Sequence, residues 1–460
     1  MRAYALLFGS VLTVSACGGP STTTPATAVS EASAPGAVLY EGATLIAGDS
    51  SAPVERAAFV VQGGKITQVG RQGEVALPQG GTRVDLAGKT VMPAMVSTHV
   101  HVGLLDGMTF GPEVYSHDHI VEHLQRYAYH GLAAVMSPGT DVGPLAFQVR
   151  DEKPAGAARL LTAGRGMAAP DGGPGIPSIA NTSFPITTAE EGRQRVRELA
   201  AIKADAVKIW VDDRLGRVKK LTPAIYGPII EEAHKHGMLA LAHVYYLKDA
   251  HELADAGIDA FLHLVRDEVM DDALIGKMKA RNIYVAANIG GTRRGGLPEA
   301  PPDLLALLSE STPATLVEQY RASYTARDAK NVAFMKATYE KMRESLRKLN
   351  EAGITITLGG DTGIPGAWHG WAEHYELETM VDAGMTPAQV IVAATSNAAR
   401  VLKLGDLGTI APGKSADFLV LDADPLQDIR NARKLSAVYL RGTALDRAGM
   451  RARWAPTKTS

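Results

Sequence analysis

One cysteine, Cys17, is all that the 460 residues contain, so no disulfide within the chain can staple the fold. No Lys/Arg-rich run is present either. Basic and acidic residues nearly balance, 47 against 49, giving a formal charge of -2 and a pI near 6.7. That removes the electrostatic footprint of a nucleic-acid binder and favours small or neutral ligands. The apolar segment that opens the chain, Ala3 to about Ala16, is too short to span a bilayer. What the 46% apolar fraction does allow is a large core, which at this length usually divides into more than one domain.

The first residues, "MRAYALLFGSVLTVSAC", combine one Arg, a short apolar stretch and small residues, which is the anatomy of an export signal. "VSAC" resembles a bacterial lipoprotein cleavage box, so residues 1–17 read as a lipoprotein-type leader with Cys17 as the lipidated first residue of the mature protein. A plain signal peptide with a cysteine near its cleavage point is the simpler alternative. The expectation is export to the bacterial periplasm or cell envelope, with membrane attachment through Cys17 only. Residues 18–37 are a Ser/Thr/Pro/Ala tether with almost no bulky apolar side chain to pack.

Residues 38–92 show short alternating runs broken by turns, with Gly63-Gly64 between two of them as a hairpin turn requires. Residues 405–455 have the same character, and the two flanks are expected to form one small β-sandwich domain. Over residues 93–404 strand-like and helix-like segments alternate. Eight apolar strands are visible, at Val96 to Val102, Ala133 to Ser137, Arg159 to Ala163, Ala206 to Val211, Leu239 to Tyr245, Ala260 to Val265, Tyr284 to Asn288 and Thr355 to Gly359. Several intervening helices end in Gly just before a strand ("HGM", "AGID", "AGIT"), as helix C-caps do. The pattern predicts the α/β class, a (β/α)8 TIM barrel, with its site at the C-terminal strand ends. The longer excursion after the seventh strand, with "GGTRRGG", reads either as cover for the barrel mouth or as an ordinary surface loop.

The chemistry-bearing residues fall at those strand ends. "VMPAMVSTHVHVG" closes on His99 and His101, which on a strand share a face about 7 Å apart. Taken alone, the pair reads equally well as two polar residues bonded to backbone or as metal ligands. "DAVKIWVDD" carries Lys208 inside an apolar run, "LALAHVYY" carries His243, "AFLHLVRD" carries His263, and "ITITLGGDTG" delivers Asp361. Burying an ammonium such as that of Lys208 is costly.

This ordered series resembles the amidohydrolase superfamily, in its imidazolonepropionase-like branch of metal-dependent prolidases, dipeptidases and carboxypeptidases. The resemblance runs from about residue 37 to the end. It implies two divalent ions, zinc or similar. His99, His101 and Asp361 would hold one, His243 and His263 the other, and Lys208, carboxylated by carbon dioxide, would bridge both. It also implies attack by a metal-bridging hydroxide on an amide, with Asp361 as general base and then acid. Against this stand Asp361 as a helix N-cap and Lys208 as a lysine snorkelling to solvent beside a single metal. Tyr245, on the face of His243, resembles the tyrosine that holds the substrate carbonyl or carboxylate in related dipeptidases; core packing is its alternative. Arg266, Arg293, Arg294 and His369 lie in strand-end loops and are candidates for a substrate carboxylate. His117, His119, His123 and His130 are expected on a solvated helix face. Two departures stand out: Ser97 replaces the Asp that many relatives place before His-x-His, and "AGRGMAAPDGGPG" lacks the histidine usual after the third strand.

The expected substrate is a dipeptide, an N-acyl amino acid or a related carboxylate-bearing amide, the relatives including enzymes that open the amide of ochratoxin A. The alternatives are a cyclic-amide hydrolase or deaminase, which would use an acid such as Glu268, and a non-catalytic surface-binding lipoprotein on the same scaffold. Relatives often form homo-oligomers, and that expectation comes with the resemblance.

Overall fold

A computed structural model describes residues 36–455. The leader with Cys17, and all but the last two residues of the tether, lie outside the described residues. Among the described residues no helix is long and apolar enough to cross a membrane.

The two flanks of the chain meet in a single eight-stranded sheet where a two-sheet sandwich was expected. Thr90–Pro93 is the joint: it runs parallel to Val38–Leu45 and antiparallel to Phe418–Leu421, so hydrogen bonding passes without a break from the first flank to the second. Tyr40, Phe59, Phe418 and Tyr439 pack over the seam, with ring centroids 4.4 to 5.3 Å apart. Edge and offset contacts of this kind suit the aromatic quadrupole. The Gly63-Gly64 turn joins Val54–Gln62 to Lys65–Arg71, and both glycines have positive φ, 58° and 74°. Such angles match the right-handed twist of the paired strands.

Between the flanks all eight expected strands form, six of them shorter at the C-terminal end than the apolar runs suggested, while the second and fourth end as expected at Ser137 and Val211. Met95–Ser97, Leu132–Ser137 and Arg159–Thr162 make one parallel sheet. Ala206–Val211, Leu239–Val244, Ala260–Phe261, Tyr284–Ala286 and Ile356–Thr357 continue in order in another, which also contains Met167–Ala168 and Phe184–Pro185. Hydrogen bonds link the sheets at both margins: Thr98 N–H donates to the Leu358 carbonyl at 2.8 Å, and Asp205 N–H to that of Thr162 at 2.9 Å. The arrangement is that of a TIM-barrel-like α/β fold. Every residue of Leu132–Ser137 and of Ala206–Val211 is buried, as parallel strands covered on both faces require. Helices start where the sequence caps them, as at the capping box of Thr188 and Glu191.

After the seventh strand come helices Gly290–Gly295, Pro302–Ser309, Ala314–Thr325 and Ala329–Glu351. Leu304, Leu308 and Tyr320 pack there on Trp368 and Trp371 in a second apolar cluster, and Trp371 Nε1 donates to the Leu304 carbonyl at 2.8 Å. The insertion is thereby fixed as a wall beside the strand ends.

Candidate active site

Short parallel strands leave the next few residues of each chain segment free to turn inward, and here those residues are the titratable ones. His99 and His101 follow Met95–Ser97, and their ring centroids are 5.5 Å apart. His263 follows Ala260–Phe261 and lies 4.9 Å from the His99 ring. His243, near the end of Leu239–Val244, lies 4.3 Å from the His263 ring. Four imidazoles thus form a continuous group.

Asp361 closes the set. Gly359 and Gly360 bring the chain in tightly; a Cβ on Gly359 would meet His99 Cβ at 3.1 Å and Ala286 Cβ at 2.8 Å. Asp361 then adopts φ 51°, a left-handed conformation that Asp tolerates better than most residues. Its N–H donates to the His99 carbonyl at 3.0 Å, and its Oδ1 lies 2.8 Å from His101 Nε2 and 3.4 Å from His99 Nε2. Donor atoms of His99, His263 and Asp361 all lie within 4.8 Å of one another, close enough to grip one cation.

The rings are held in fixed orientations by outer partners. His99 Nδ1 faces the Leu262 carbonyl at 3.1 Å, so Nδ1–H donates there and Nε2 keeps its lone pair for the site. His243 Nε2 faces Asp212 at 3.1 Å, which leaves Nδ1 free. His101 Nδ1 lies 2.6 Å from the Thr140 hydroxyl, and His263 Nδ1 2.6 Å from the Asn288 amide. Such outer partners fix ring orientation at metal centres. Burial holds His99 and His263 well below the usual imidazole range and brings His243 down to about 4. All three are therefore neutral at ordinary pH, the form that coordinates metal. Burial raises the Asp361 carboxyl, but His99, His101 and His263 outweigh it and the group ends well below its ordinary value.

Lys208 is 1% exposed and pairs with no carboxylate among the described residues. Burial brings its ammonium down to about 7; Asp361 opposes this and Arg266 adds to it. Gly139 makes room, since a Cβ there would meet Lys208 Cγ at 2.7 Å. Half or more of the lysine is consequently neutral amine near pH 7.5, unlike a surface lysine.

A cavity of about 520 Å³ opens beside Asp361, lined by Tyr245, Arg266, Asn288, Arg294, Arg327 and Phe334 among others. Of the substrate candidates, Tyr245, Arg266 and Arg294 reach it. Arg293 does not: it pairs with Asp382 at 3.3 Å and lies over Tyr339. His369 does not either: it is 3% exposed and stacked on His123 with centroids 3.6 Å apart. The solvated histidine face also needs correction, because His123 and His130 are buried, and His123 Nδ1 accepts the Gly103 N–H at 2.8 Å. Glu268 is exposed. Asp212, Thr140, Asn288 and Arg327 were not singled out in the sequence. The first three end or follow apolar strands, a signal that was available; Arg327 sits in the insertion, where there was none.

The model of the amidohydrolase family matches residues 90–445. An imidazolonepropionase from Nocardia farcinica is 40% identical over 78 residues, a match spanning 17% of this chain and only 20% of that one. The ochratoxinase of Aspergillus niger is 25% identical over 457 residues, covering 87% of this chain and 84% of that one. The crystal structure of A. niger ochratoxinase has a TM-score of 0.70 at 20% identity, covering 89% of this chain and 95% of that one. A Xaa-Pro dipeptidase with methionine bound in its active site has a TM-score of 0.71 at 22% identity, covering 89% and 99%.

Proposed function

The chain belongs to the amidohydrolase family, and from that premise we propose that it hydrolyses the amide bond of a small carboxylate-bearing substrate, a dipeptide or an N-acyl amino acid. The observation that carries this reading is the convergence of three buried imidazoles, the partly buried His243, Asp361 and the buried Lys208 beside one cavity. The donor set fits divalent ions of the zinc type: neutral nitrogen donors, one deprotonated carboxylate and a buried amine. His99, His101 and Asp361 would hold one ion, His243 and His263 a second, and Lys208, as its carbamate, both. The carbamate forms when the neutral amine adds to carbon dioxide and releases one proton. Bound there, the ions would polarise the amide carbonyl and lower the pKa of water.

The residues of the chain supply the rest. Asp361, held deprotonated by its imidazole neighbours, takes the proton of the attacking water and returns it to the leaving nitrogen. Arg266, with Nη2 3.0 Å from His263 Nδ1, and Tyr245 beside it receive the substrate carboxylate and so place the scissile carbonyl over the imidazole group. The deaminase alternative loses its proton donor, because Glu268 faces solvent. The same reading includes closure of the eight strands into a barrel, a flank-built β domain around it, and export with lipid attachment at Cys17.

The test is amine release from a panel of dipeptides and N-acyl amino acids by purified, zinc-reconstituted protein. Cleavage of carboxylate-bearing amides, and not of their amidated counterparts, is expected. Cleavage of neither class would overturn the reading.

A further inference from the structure

The cavity beside Asp361 carries more positive charge than one substrate carboxylate needs. Three guanidinium groups line it, Arg266, Arg294 and Arg327, and the only carboxylate among the lining residues is Asp361. Arg294 is 5% exposed, yet among the described residues none of its N–H groups is hydrogen-bonded and no carboxylate lies within 4.0 Å. It rests against Trp371 and Tyr375, 5.6 and 5.4 Å from the ring centroids. The Glu376 carboxylate, whose charge reaches Arg294, is already committed to the Ile289 and Gly290 N–H groups at 2.8 and 2.7 Å. Arg327 stacks flat on Tyr324 at 3.4 Å; Nη1 donates to the Arg294 and Leu297 carbonyls, leaving the rest of the fork unpaired. A buried guanidinium with no carboxylate in hydrogen-bonding contact is costly, and aromatic faces compensate it only in part. The lining also has an apolar part: Met108 and Phe334 are 41% and 48% exposed, and both line the cavity.

Resting on the amide reading above, we propose that Arg294 and Arg327 form a second anion subsite, so that the preferred amides are those of acidic amino acids, Glu or Asp at the C-terminal side of the scissile bond. Arg266 and Tyr245 take the α-carboxylate, the Arg294–Arg327 pair takes the side-chain carboxylate, and an apolar acyl portion lies along Met108 and Phe334. A planar guanidinium matches a carboxylate through two parallel hydrogen bonds, whereas an amide isostere keeps only the one to its carbonyl oxygen, turns an NH2 donor toward the other N–H and brings no charge. The pair therefore discriminates Glu from Gln, which differ little in size.

The experiment compares Leu-Glu with Leu-Gln and Leu-Asp with Leu-Asn on the zinc-loaded full chain. In the wild type the acidic member of each pair is expected to have at least a tenfold higher kcat/KM, mainly through KM. In Arg294→Gln and in Arg327→Gln, the latter at a partly buried position, that ratio should fall toward one. Melting of the holoenzyme supplies a readout independent of turnover: glutamate should raise Tm and glutamine should not, with the increment lost in both variants. Equal kcat/KM within each pair, or an unchanged ratio in both variants, would overturn the second subsite and leave amide hydrolysis standing. If no amide is cleaved, the amide reading itself falls.

Discussion

On the proposed reading Asp361 is the residue on which the chemistry turns, because it is the carboxylate set among His99, His101 and His263. Asn also accepts left-handed backbone, so Asp361→Asn should leave the turn after Gly360 intact while removing the proton carrier. A fall in kcat of about 10²–10⁴-fold with the folded state preserved is expected, read from steady-state kinetics beside circular dichroism. Deeper in, Glu373 carries a different consequence. It is wholly buried, it accepts the Thr362 hydroxyl, and its second oxygen has no partner among the described residues. Burial, helped by Glu376, pushes its carboxyl up to about 8 from 4.5. The folded state then binds this proton more tightly than the unfolded chain, so stability falls as pH rises between those two values and stays level above them. The slope from this one group cannot exceed about 1.4 kcal/mol per pH unit. Glu373→Gln should flatten the decline of stability from pH 5 to 8 in denaturant titrations, whereas parallel wild-type and variant curves would refute the assignment.

At the scale of elements, the hairpin of the flanking sheet separates two kinds of glycine. Gly63 and Gly64 both have positive φ, but a Cβ on Gly64 would also meet the Arg441 carbonyl at 2.9 Å, while one on Gly63 meets nothing within 4 Å. Gly64→Ala should therefore lower Tm by clearly more than Gly63→Ala in thermal melts. That turn was readable in the sequence, as were all eight strands, because strand periodicity and glycine punctuation are local signals. The places of His99, His101, His243, His263 and Asp361 in the fold were readable for the same reason, since each ends or follows an apolar run, and Lys208 was readable as a charge inside one. Other features depend on distant partners. Thr90–Pro93 hydrogen-bonds to strands from both flanks, which is why a single sheet stands where two were expected. The turning of Arg293 toward Asp382 and of Arg294 toward the cavity depends on how a short helix of the insertion docks, and adjacent residues of identical type give no local hint of it.

At the scale of the whole molecule, the proposed ions would serve stability as well as activity. A metal that binds only the folded chain adds to stability by mass action, so removal with a chelator should lower Tm and zinc should restore it. Unchanged melting after complete removal would mean that the imidazole group is a structural cluster. The most direct measurement is the metal content of the purified, zinc-reconstituted full-length chain by mass spectrometry. Two ions per chain are expected in the wild type, one in Lys208→Ala, and fewer than two in His99→Ala and His243→Ala. A wild type that retains no ion, or variants that all retain the full wild-type complement, would contradict the claim that these residues gather to hold divalent metal.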